Sequence, residues 1–159
     1  MALLKAAHEH LQRNEAGEAL EKYLRAIDTC SKEGLGARHA MRTRAHSGAA
    51  HASIELSRWE SAATHLQQSV AGFEIAYPDA HPVKAVEILM CAKVLWFKKD
   101  VNSALQHFRR AFKLLEITHG PTHTLTKECI MKEREASAEF AEIKRQKQNS
   151  YSVDCDERE

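Results

Sequence analysis

The chain has 159 residues and carries 23 lysines and arginines against 22 aspartates and glutamates. That balance excludes the strongly basic face of a nucleic-acid-binding domain, and the length suits one domain or a short repeat array with a proper core. The most apolar stretch, 85-AVEILMCAKVLWF-97, has 13 residues and holds Glu87 and Lys93, too short and too charged to span a bilayer.

Taken from the N-terminus, residues 1–11 lack an apolar run of about 7–15 residues and a small-residue cleavage site, so no signal peptide is expected. Scarce glycine and proline, with no β-branched run, favour helix over strand. Apolar spacing predicts helices over 2–13 and 15–32, over 39–56 and 59–76, over 82–97 and 101–118, and a seventh over 124–147. The turns 13-RNEAG-17, 57-SRWES-61 and 98-KKDVN-102 are short, so the helices on either side of each run antiparallel. Residues 1–147 form the helical domain, and 148–159 are expected to be a disordered acidic tail.

The three pairs repeat. Ala7, Ala50 and Ala92 stand 43 and 42 residues apart, and each is followed by a second alanine, Ala19, Ala62 and Ala104. A bulky residue comes four positions on (Tyr23, Leu66, Phe108), then a small one three further (Ala26, Ser69, Ala111). Such spacing puts a small contact on the first helix of a pair and a small–bulky–small stripe on one face of the second. The phrase is similar to the tetratricopeptide repeat, whose period is about 34 residues; the period here is 42. In the last helix Arg134 takes the small-residue slot and charges crowd 132-KEREASAEFAEIKRQK-147, as suits a capping helix with a solvated outer face. The fold expected is an all-α, tetratricopeptide-like helical repeat solenoid, with three antiparallel pairs and a C-terminal cap.

Catalytic and metal-ligating sets are not found. His39, His81 and His123 recur every 42 residues, but successive units lie on the order of 10 Å apart, whereas ligands of one metal sit about 2 Å from it. Each falls at the start of a first helix, and Pro82 suits the first helical position, so these histidines read as turns or caps. The pairs His8 and His10, and His46 and His51, are off-face, and Gly120 and Pro121 interrupt His119 and His123. Cys30, Cys91, Cys129 and Cys155 offer no C-x-x-C spacing and read as free thiols. No cofactor is implied. Trp59, Trp96, Phe97 and Phe108 read as packing, with Trp59 over a turn and one of Trp96 and Phe97 within reach of a groove.

In a solenoid of this kind the first helices line a concave face. The alignment places Lys5 and His8, Arg44 and His51, and Met90 and Lys93 near it. That surface is mildly basic with apolar stems and fits an acidic or carboxylate-ended peptide.

The stretch 77-YPDAHPVKAVEILMCAKVLWFKKDVNSALQHFRRAFKLLEITHGPTHTL-125 resembles the C-terminal helical domain of the SET-and-MYND-domain lysine methyltransferases. The phrases that carry the likeness are Tyr77-Pro78 with His81-Pro82, Ala104-Leu105 through Arg109, and Thr118-His119-Gly120 with His123. Longer-period repeats such as those of kinesin light chains share the His-Pro phrase. The resemblance implies a non-catalytic domain that packs beside a SET core, helps form the substrate cleft and binds partners, a chaperone C-terminal tail among them. The zinc-finger cysteines, G-x-G loop and Asn-His pair of that family are missing here, so no catalytic residue carries over. The Lys and Asn clamp of ordinary tetratricopeptide adaptors is also missing: its positions are Leu4, His8, Gly48, Val86 and Met90. Because Leu3 and Leu4 are already apolar, Met1 is expected to be internal to a longer chain with the SET core in cis. The alternative is a stand-alone repeat adaptor that holds a peptide or a partner helix. Cytoplasm, with the nucleus as a second compartment, is the expected location.

Overall fold

A computed structural model describes residues 2–36, 39–77 and 79–156, with 149–156 as backbone only. Its helices are α1 (Ala2–Gln12), α2 (Ala16–Lys32), α3 (Ala40–Glu55), α4 (Trp59–Ala76), α5 (Pro82–Phe97), α6 (Val101–Thr118) and α7 (Thr124–Asp156). Among the described residues there is no strand. Each helix packs on the next, α1 also touches α3, and α5 also touches α7. The first six helices keep their expected bounds to within one residue. The backbone of α7 continues past the boundary placed at 147 to Asp156, and residues 157–159 lie outside the described residues, as does Pro78.

The turn inside each pair has one geometry. Asn14, Ser57 and Lys99 adopt φ of 61°, 55° and 66°. In each, the next residue's N–H reaches back to the last turn of the first helix: Glu15 to His10 O (3.0 Å), Arg58 to Ser53 O (2.8 Å) and Asp100 to Leu95 O (3.0 Å). This is the Schellman way of ending a helix, and it normally takes glycine at the left-handed position. No glycine stands there in this chain, so the sequence gives little local sign of it.

The repeat alanines are the close-contact points. Ala7, Ala19, Ala50, Ala62, Ala92 and Ala104 are all fully buried. Around them lie two apolar clusters. The smaller joins Ala7, Ala19, Leu20 and Tyr23 to Ala49 and Ala52. The larger runs from Ala50 of α3 through α4 to α7 and includes Leu66, Ile88, Leu89, Phe108 and Leu115. α7 presents one stripe to the stack, with Thr126, Cys129 and Ala136 buried, while Arg134 and Glu135 face outward.

The periodic histidines are helix caps. His39 Nδ1 accepts the Met41 N–H at 3.3 Å, His81 Nδ1 accepts that of Val83 at 3.2 Å, and His123 Nδ1 accepts that of Leu125 at 3.2 Å. Each satisfies a backbone donor that the helix leaves open in its first turn. A ring that accepts at Nδ1 has its N–H at Nε2. Pro82 is the residue next to the His81 cap, and the Tyr77 ring stacks on His81 with centroids 3.7 Å apart. Replacing His81 by alanine is expected to lower stability by about 1 kcal/mol, and replacing it by asparagine by much less, since asparagine caps equally well. Urea denaturation of the two variants measures the difference; equal losses would show that the stack on Tyr77, rather than the cap, is what His81 supplies.

Candidate functional site

The first and third helices face each other across a groove of about 590 Å³. From α1 come Leu4, Lys5, His8 and Leu11, and from α3 come Arg44, Ser47, Gly48 and His51. Both sets follow the spacing of one helical face, i, i+3 or i+4, and i+7. Tyr23 of α2 and Phe73 of α4 complete the lining. The polar groups there are bases and hydroxyls, with no carboxylate among them. The surface is therefore built to accept negative charge beside apolar contact.

Gly48 shapes this groove. A Cβ at that position would overlap the Tyr23 ring. Its absence lets the ring lie against α3. Burial pushes the Tyr23 hydroxyl above its ordinary value, with Arg44 acting in the opposite direction. The phenol therefore stays protonated and available as a donor. Behind the groove, Ser47 donates to the buried carboxylate of Glu87 at 3.2 Å, and Ser69 donates to its other oxygen. One side chain of α5 thus ties α3 to α4.

Of the residues named from sequence, Lys5, His8, Arg44 and His51 meet in this groove, and so do Leu4 and Gly48 of the clamp positions. Met90 and Lys93 do not line it. Met90 is partly buried against the larger apolar cluster, and Lys93 pairs with Glu128 of α7 at 2.5 Å. α7 also reaches Trp96, whose Nε1 donates to Glu139 at 2.6 Å, with Lys99 3.3 Å from the same carboxylate. Those two donors hold the Glu139 carboxyl below the usual carboxylate range. The last helix therefore engages, in the third unit, the residues that correspond in the repeat to His8 and Leu11 of the groove. Neither aromatic of the Trp96-Phe97 pair lines the groove: Phe97 is exposed and stacks on Trp59 at 4.8 Å, beside the α3–α4 turn.

Sequence reasoning read Tyr23 only as a repeat-packing residue and did not single out Ser47 or Phe73. The available signal was Gly48, a residue without a side chain in the middle of a helix. A second feature it missed is the contact between His46 and His65, whose Nδ1 atoms lie 3.1 Å apart across α3 and α4. His46 is 7 % exposed, and its Nε2 has no hydrogen-bond partner among the described residues. Burial first, then the neighbouring His65 and Arg42, hold the His46 pKa down to about 4; burial lowers that of His65 as well. Cys30, Cys91 and Cys129 are buried, and burial pushes the thiols of Cys91 and Cys129 up to about 11, which leaves them poor nucleophiles. The side chain of Cys155 lies outside the described residues. Among the described residues no three His, Cys, Asp or Glu side chains come together as a metal site would need, and no helix is long and apolar enough to cross a membrane.

No family model matches the chain. A stretch of 87 residues, 55% of this chain, is 28% identical to histone-lysine N-methyltransferase SMYD3 of Mus musculus and, equally, of Homo sapiens. A stretch of 86 residues is 27% identical to histone-lysine N-methyltransferase ASHR1 of Arabidopsis thaliana. The matched stretch is 20% of each SMYD3 and 18% of ASHR1, so the chain corresponds to about a fifth of these relatives. Among solved structures, a Podosopora anserina protein described as a kinesin light chain of nearly identical TPR-like repeats superposes with a TM-score of 0.70 at 18% identity. It covers 85% of this chain and 64% of that one. A single-substitution variant of the same protein gives 0.71 over 85% and 63%. That likeness concerns the fold alone. The chain has a tetratricopeptide-like helical repeat fold, and just over half of its sequence is homologous to part of the SET-and-MYND lysine methyltransferases.

Proposed function

We propose that this chain is a protein-interaction module without catalysis of its own, whose working surface is the α1–α3 groove. The observation that carries the reading is the meeting of Lys5, His8, Arg44 and His51 in one groove whose lining holds no acid. The apolar side chains Leu4, Leu11 and Phe73 supply the contact area that charge alone does not. An acidic peptide fits these requirements, and a chaperone C-terminal tail is one such ligand that the family resemblance brings forward. The same resemblance supports a place in a lysine methyltransferase, where the module scaffolds the cleft beside a SET core and the S-adenosylmethionine chemistry belongs to that core. It also favours cytoplasm and nucleus as the working compartments.

A fluorescein-labelled hexaglutamate peptide tests the groove by anisotropy. Reversing Lys5 and Arg44 together to glutamate is expected to weaken binding by roughly tenfold or more, because two attractive contacts become repulsive. The exposed Lys113 on α6, reversed to glutamate, is the matched control and leaves affinity unchanged. Equal affinity for all three proteins sinks the groove as the binding surface.

A further inference from the structure

We infer that the groove is proton-linked: His8 and His51 take up protons as an acidic segment enters, so the affinity for carboxylates rises as pH falls below neutrality. The inference rests on the groove being a peptide site. It adds what regulates that site.

The two histidines stand on opposite walls, His8 on α1 and His51 on α3. The groups facing them are few. On α1, Lys5 lines the same wall, and Gln12 Nε2 lies 3.0 Å from His8 Nε2. On α3, Arg44 lines the wall one face-repeat before His51. α2 supplies the Tyr23 hydroxyl, held in its neutral form by burial, and α4 supplies the uncharged Phe73. Glu55, one turn beyond His51, lines a separate pocket with Glu15, Glu18 and Glu21 on the far side of Leu11. Behind the groove, the Glu87 carboxylate of α5 is already engaged by Ser47 and Ser69. Among the described residues, then, no carboxylate lines the groove itself, and the nearest along α3, Glu55, opens onto the adjoining pocket. A ligand carboxylate is the partner that would favour their charged form.

The consequence follows from linkage. If carboxylates in the groove favour imidazolium, binding takes up protons, and affinity must rise as pH falls through the range where histidine titrates, around pH 6.5. The lysine and arginine of the lining, Lys5 and Arg44, set a floor of affinity. The histidines add a variable part above it. Glutamates of the ligand stay ionised down to about pH 5, so the ligand's own charge does not change over this window.

The test uses the full chain and hexaglutamate at constant ionic strength, between pH 7.5 and pH 6.0. Affinity is expected to rise by on the order of tenfold, from two histidines that each pair with a ligand carboxylate. The double variant His8→Gln, His51→Gln, compared with itself at the two pH values, should lose most of the rise. A measurement that needs no variant accompanies it: calorimetry of the parent at pH 6.5 in two buffers of different ionisation enthalpy should report net proton uptake. Comparing amidated with free C-terminal peptide separates side-chain carboxylates from a terminal one; either source supports the inference if its affinity carries the pH dependence. Binding that is pH-independent and proton-neutral overturns the inference while leaving the groove intact. An undiminished rise in the folded double variant overturns it too. No binding at any pH removes the groove reading and this one together.

Discussion

Phe108→Ala is expected to lower the unfolding free energy by roughly 3–5 kcal/mol, the range for emptying a large aromatic from a packed core. Phe108 is fully buried at the middle of the larger cluster. Its ring meets Trp96 edge-on with centroids 6.1 Å apart, and its carbonyl accepts the Cys129 thiol at 3.4 Å. The residue therefore joins α5 and α7 through α6. With a typical total of about 5–15 kcal/mol, such a loss leaves the chain barely folded at room temperature. Phe108→Leu retains most of the volume and should lose much less, about 1–2 kcal/mol. Urea unfolding followed by circular dichroism and by tryptophan emission measures both. The smaller cluster around Ala7, Ala19 and Tyr23 is separate, and repeat stacks lose cooperativity when one unit is weakened. In Phe108→Ala the tryptophan signal, from Trp59 and Trp96, is thus expected to change at lower urea than the helix signal. Equal losses in the alanine and leucine variants would show that packing volume at this position is not what stabilises the stack.

Acidification is expected to destabilise the fold well before the carboxylates titrate. His46 is held neutral in the folded chain down to about pH 4, chiefly because it is buried, with His65 and Arg42 adding to the effect. Unfolded, the same histidine takes a proton near pH 6.5. Between these values the unfolded state binds more protons than the folded one. The stability that His46 provides is therefore complete above about pH 6.5 and is lost as pH falls toward 4. At about 1.4 kcal/mol per unit the whole effect is roughly 3 kcal/mol, of which about 2 kcal/mol is lost by pH 5. His65 is shifted in the same direction and adds to the slope. Unfolding curves at pH 7.5, 6.5 and 5.0 test this directly. His46→Leu should flatten the profile across that range. A profile that is as steep in the variant as in the parent would move the cause to other groups.

The helices were legible from sequence because the rules that set them are local. The small–bulky–small stripe of Ala19, Tyr23 and Ala26 and its two repeats announced which face each second helix buries. The spacing of His39, His81 and His123 marked three helix starts, and each histidine accepts an N–H two residues on. Less was legible where two distant segments meet. His46 and His51 looked unrelated because they are off-face to each other, yet His46 pairs with His65 while His51 lines the groove. Their five-residue spacing is what sends them to different sides of α3. Lys93 occupied the same place in the alignment as groove residues, but α7 supplies Glu128 to it. Nothing in the sequence around Lys93 names that partner.

By itself, then, the amino-acid sequence determined the seven helices, their antiparallel pairing, the period of the stack and the place of its histidines at helix starts. Those follow from residue spacing, short turns and first-turn hydrogen bonding, which act within a few positions of the chain. The tertiary structure decided which basic residues share a groove. That depends on how α1 and α3 are rotated against each other, on the Tyr23 ring lying where Gly48 has no side chain, and on the last helix engaging Lys93 and Trp96. These contacts join segments tens of residues apart, and only close packing fixes which pairs of side chains come within reach.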